Sequence, residues 1–144
     1  MCLSKKLLRT GLKSLNNNKT TVKPAILWIL RIVSAVILLQ TLYFKFTAHE
    51  QSVRLFTALG MEPWGRIGTG IFELVASVLI LYPRTTKYGA LLGMGLMSGA
   101  IFFHLTKIGI YFDGDPWLFI YALIVFVCCG ALIMIIEGKK KAAV

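Results

Sequence analysis

Acidic residues are scarce in this chain and cysteines scarcer. Six Asp and Glu stand against sixteen Lys and Arg, for a net charge of +10, and the first 23 residues hold six basic side chains with no acid among them. Cys2, Cys128 and Cys129 make no CxxC pair, no zinc-ligand spacing and no disulfide framework. Flavin and dinucleotide fingerprints are missing too, so the chain supplies no redox-active group of its own. No signal-like apolar segment with a small-residue cleavage site stands near Cys2, and no lipid anchor is expected there. The basic residues form no continuous stripe of the kind that grips a phosphate backbone. They sit at the ends of apolar runs and in the turns between them, which argues against a nucleic-acid partner.

What the chain has in quantity is apolar sequence. Its 57% hydrophobic content and mean hydropathy of +0.75 exceed the roughly 45–50% of soluble domains, which excludes a water-soluble fold. A helix needs about 20 apolar residues to cross a hydrocarbon core roughly 30 Å thick. Four such runs are present, at about 24–45, 66–82, 86–106 and 117–136. The fold class that follows is all-α: a transmembrane four-helix bundle. Thr47 with Glu50 has the spacing of a capping box, and Val53, Leu55, Phe56 and Leu59 share a face before Gly60. That predicts a short interfacial helix over 47–59, between the first two spans. Thr85 or Thr86 is expected to cap the third span, and Asp115 opens the fourth. The link around Pro83 is so short that spans two and three must be antiparallel neighbours.

Eleven of the sixteen Lys and Arg fall on the side of the N-terminus. These are the six of the 1–23 tail, Arg84, Lys87 and Lys139 to Lys141; only Lys45, Arg54, Arg66 and Lys107 lie opposite, and Arg31 is inside a span. The excess predicts cytoplasmic N- and C-termini in a cell inner membrane, with basic tails at 1–23 and 137–144. The 1–23 tail could form a surface helix over Leu3 to Leu15 and dock a partner or anionic lipid. Trp64, Tyr111 and Trp117 would then form one aromatic belt, and Trp28, Tyr82 and Tyr88 the other.

Polar groups within spans are expensive, so each needs a reason. Arg66, Thr69, Glu73 and Ser77 recur at spacings of three and four and form one stripe on the second span. At 1.5 Å per residue Glu73 lies roughly 10 Å in from Arg66. Gln40, Tyr43, Lys45, His49 and His104 belong to the same end of the bundle. Two readings fit this set. Glu73 can be a strut neutralised by Arg66 or Lys45; or the whole set can line a ligand-facing cavity in which Glu73 handles a proton and Gln40, Tyr43, Lys45, His49, Arg66, Thr69 and His104 bind the ligand. No metal site is expected. Gly89, Gly93, Gly95, Gly99 and Ala100 on the third span allow close helix packing, within the bundle or between copies of the chain. Cys128 and Cys129 read as apolar fillers.

Several strings resemble the DoxX family of four-helix membrane proteins. They are Lys45-Phe46-Thr47, the run Gly60-Met61-Glu62-Pro63-Trp64-Gly65-Arg66-Ile67-Gly68-Thr69-Gly70-Ile71-Phe72-Glu73-Leu74, Tyr82-Pro83-Arg84-Thr85, and Gly93-Met94-Gly95-Leu96-Met97-Ser98-Gly99-Ala100 with His104-Leu105-Thr106. The resemblance implies membrane redox chemistry, since relatives include the DoxD type of thiosulfate:quinone oxidoreductase subunit. It carries over no catalytic residues. It implies a quinone or similar amphipathic molecule as ligand and other membrane or soluble redox proteins as partners. The alternative is a non-catalytic structural or assembly subunit. A transporter ranks last, because no inverted repeat or broken helix pair is visible.

Overall fold

The computed structural model describes residues 24–142. The tail 1–23, with the surface helix expected over Leu3 to Leu15, lies outside the described residues. Five α-helices follow in order: α1 (Pro24–Phe46), α2 (Glu50–Ala58), α3 (Trp64–Leu81), α4 (Thr86–Phe103) and α5 (Trp117–Ala142). α4 runs on into a π-helical turn, His104–Ile108. There is no strand among the described residues, only a single bridge between Phe112 and Asp115.

Four of these elements, α1, α3, α4 with its π-turn, and α5, are long and apolar enough to cross a membrane. They pack as an up-and-down ring in which α1 meets α3, α3 meets α4, α4 meets α5 and α5 returns to α1. Leu38, Ala76, Ile80, Ala90, Val125, Cys129 and Leu132 fill the middle. Outward, Val36, Val78, Leu91, Val127 and Met134 are exposed along the four long helices. An apolar surface that broad is stable only against lipid. Trp64, Tyr111 and Trp117 ring one end of the bundle, and Trp28, Tyr82 and Tyr88 are exposed at the other, as interfacial aromatics are.

The link Tyr82–Thr85 makes α3 and α4 a tight hairpin. Thr85 and Thr86 do not cap α4 through their side chains, as the sequence suggests. Their hydroxyls instead donate back to the carbonyls of Leu79 (3.0 Å) and Ile80 (3.1 Å). Those carbonyls are among the last of α3, where partners are short. At Gly89 the two backbones come so close that a Cβ would stand 2.5 Å from the Ile80 nitrogen, so glycine is required. A Cβ at Gly93 would stand 3.2 Å from Cys129 Sγ. A Lys87–Glu137 ion pair then joins the start of α4 to the end of α5.

Two local features differ from the sequence reading. The Thr47–Glu50 capping box does not form: Thr47 donates to the Tyr43 carbonyl, Glu50 pairs with Arg54, and α2 begins at Glu50. α5 continues as helix through Lys139 to Lys141 rather than ending near Ile136. Arg31, the one basic residue well inside a span, is buried, with its guanidinium 5.2 Å from the centre of the Trp28 ring.

Candidate functional site

α1 ends and α3 begins at the same end of the bundle, which brings Lys45 beside the polar stripe of α3. Lys45 Nζ donates to both carboxylate oxygens of Glu73, at 2.8 and 2.9 Å. Thr41, one turn earlier on α1, donates to Glu73 Oε2 at 3.2 Å. Glu73 is only 3% exposed, so the pair is held almost free of water. A carboxylate this deeply buried depends on such partners.

Arg66 takes another role. Its Nε donates to the two Glu62 oxygens at 2.8 and 3.0 Å, and its Nη1 donates to the Lys45 carbonyl. Arg66 therefore does not neutralise Glu73; it holds the backbone of the lysine that does. Lys45 is clamped from α3 twice, through its carbonyl by Arg66 and through its ammonium by Glu73. Ser77, further along the stripe, donates to the Glu73 carbonyl at 2.6 Å and does not reach the carboxylate.

The ion pair forms part of the wall of a cavity of about 720 Å³, within the usual size range of small-molecule sites. All four long helices contribute to it, and α2 adds Leu55 and Phe56, with Leu59 just past its end. Most of the lining is apolar. Polar groups come from Thr41, Lys45, Thr69, Glu73, Tyr88, His104 and Tyr121. Phe72 on α3 and Leu91 and Gly95 on α4 both line the cavity and are exposed. The cavity thus opens sideways along the α3–α4 seam, toward lipid. A Cβ added at Gly95 or Gly99 would touch nothing within 4 Å, so there these small residues leave space rather than bring backbones together.

Of the residues singled out by sequence, Lys45, Thr69, Glu73 and His104 line this one cavity. Gln40, Tyr43 and His49 do not line it, and all three are exposed. The helix turns about 100° per residue, which rotates Gln40 and Tyr43 well away from the inward line of Leu38, Thr41 and Lys45. His49 stands at the start of α2, its ring 5.1 Å from that of Phe44. Thr41 is the site residue that sequence reasoning missed. Its signal was available, because it precedes Lys45 by four residues and so shares its face. His104 is 5% exposed, its Nδ1 lies 2.9 Å from the Gly109 carbonyl oxygen, and its ring meets that of Phe119 edge-on at 5.7 Å. Among the described residues no three His, Cys, Asp or Glu side chains converge to hold a metal ion.

A multi-pass membrane bundle with an amphipathic cavity open to lipid is the class that fold and site define. The DoxX family model matches residues 26–106, more than half of the sequence, and the chain belongs to the DoxX family. No curated protein and no solved structure matches it.

Proposed function

We propose that the chain is a redox-associated membrane subunit that holds a quinone, or a similar amphipathic molecule, in the cavity between its helices. What carries this reading is one juxtaposition: a buried Lys45–Glu73 pair in the wall of an otherwise apolar cavity that opens sideways to lipid. A strut alone needs no cavity beside it. The apolar lining suits a ring and tail, while Lys45, with two of its three N–H donors used on Glu73, has one left for a ligand oxygen. Glu73 is the group placed to exchange a proton with that oxygen. Electrons must come from a partner protein, since the sequence carries no redox motif of its own.

The same reading places the chain in the cell inner membrane with both termini cytoplasmic, on the basic excess noted above. A reporter fused after Val144, or between Arg84 and Thr86, should read as cytoplasmic, and one between Arg54 and Gly60 as external. A cytoplasmic signal from the last site would contradict this four-span topology.

The test of function is purification from native membranes, followed by organic extraction and a visible spectrum. About one quinone-like molecule per chain is the expected result. A stoichiometric protein partner with no lipid-soluble ligand would instead support a structural or assembly subunit.

A further inference from the structure

We infer that His104 accepts a hydrogen bond from the cavity's ligand, and that the cavity therefore favours a hydroxyl-bearing, reduced ligand, a quinol over its quinone. The inference rests on the reading of the cavity given above and adds the state in which the ligand is held.

The argument begins with the backbone. Where α4 would continue, the chain widens into the π-turn His104–Ile108; such turns are frequent where a side chain has been aimed for function. Gly109 closes the turn, its N–H donating to the His104 carbonyl at 2.8 Å. Its φ of +85° is a conformation that glycine adopts readily. Gly109 thereby sets its own carbonyl oxygen 2.9 Å from His104 Nδ1. Main chain and ring are thus locked to the same residue in both directions, and Phe119 packs against the ring.

This lock fixes the tautomer. A carbonyl oxygen can only accept, so Nδ1 carries a proton, and in the neutral form of the ring the acceptor lone pair is then on Nε2. His104 lines the cavity, is 5% exposed, and has no partner at Nε2 among the described residues. Glu73 differs, since each of its oxygens already accepts from Lys45 and one of them from Thr41 as well. The open polar positions of the cavity therefore include an acceptor that cannot also donate, His104 Nε2, a donor that cannot also accept, the third N–H of Lys45, and the two-way hydroxyls of Tyr88 and Tyr121. A quinone offers only acceptors and leaves Nε2 unpaired in an apolar place. A quinol hydroxyl donates to it, and its oxygen lone pairs still accept from an ammonium. The arrangement thus selects for the reduced partner of a quinone couple by leaving an unmet acceptor for the oxidised one.

The experiment uses the full chain in lipid nanodiscs and measures equilibrium binding of a decyl-substituted benzoquinone and, under anaerobic conditions, its quinol. Wild type should bind the quinol about tenfold more tightly, the scale of one well-made hydrogen bond against an acceptor left unpaired in an apolar cavity. His104→Phe should lose that preference by weakening the quinol alone, whereas His104→Gln, whose amide oxygen can accept, should keep part of it. Equal or tighter binding of the quinone by wild type overturns the inference, and this comparison needs no variant to fold. A preference that survives in His104→Phe overturns it as well. Binding of both forms without preference leaves the cavity reading standing and removes only the inference; binding of neither removes both.

Discussion

Replacing Lys45 by Met should destabilise the folded bundle by about 3–5 kcal/mol, the cost of breaking a buried ion pair by removing one partner. The carboxylate of Glu73 would then remain 3% exposed, with the Thr41 hydroxyl as its one remaining side-chain partner. Glu73→Gln should cost less, because the long Lys45 stem can carry its ammonium toward the mouth of the cavity. The double change Lys45→Met with Glu73→Leu should recover most of the loss, as apolar replacement of a whole buried pair often does. Arg66→Gln should not rescue Glu73→Gln, since Arg66 is engaged by Glu62 and the Lys45 carbonyl. Unfolding in detergent, followed across this cycle, reads the coupling directly. A Lys45→Met protein as stable as wild type would show that the pair contributes nothing.

The second large effect is on binding rather than stability. Gly95→Phe and Gly99→Phe should each abolish most of the ligand content, by tenfold or more, while leaving the melting temperature near that of wild type. Both glycines line the cavity, and a Cβ at either meets no atom within 4 Å, so a ring can occupy the space without displacing a helix. Losing a helical glycine also favours the folded backbone, by about 0.5–1 kcal/mol for Gly→Ala. Gly89 is the internal contrast. There the Ile80 backbone stands 2.5 Å from the added atom, and any side chain should destabilise the α3–α4 hairpin by overpacking. Ligand content unchanged in both Phe variants would place the ligand elsewhere.

These two predictions rest on features that were unequally legible in the sequence. The spans were plain, because twenty-residue apolar runs have few alternatives and Lys and Arg mark their ends. The inward stripe of α3 was also plain, since Arg66, Glu73 and Ser77 recur with helical period and are all buried. Which cation meets Glu73 was not. Arg66 lies on the same helix as Glu73, but its neighbour one turn back, Glu62, captures it, and only the packing of α1 on α3 brings Lys45 across. Gln40 and Tyr43 looked like site residues by depth alone. Depth does not fix azimuth, and their rotation from Thr41 turns them outward. The orientation of His104 could not be read at all, because it depends on a π-turn and on the positive φ of Gly109, neither of which has a periodic signature. Thr85 and Thr86 show the same limit. A threonine before a helix reads as that helix's cap, yet here both serve the helix behind them.

The central claim is that an amphipathic ligand lies in the cavity between the helices, and photolabelling tests it most directly. A photoreactive quinone analogue, added to the chain in native-lipid nanodiscs and mapped by peptide sequencing, should label cavity residues such as Leu96, Phe103 and Tyr121. Excess unlabelled quinone or the Gly99→Phe substitution should suppress that labelling. Labels confined to lipid-facing positions such as Val36, Val127 and Met134, undiminished by either treatment, would contradict it.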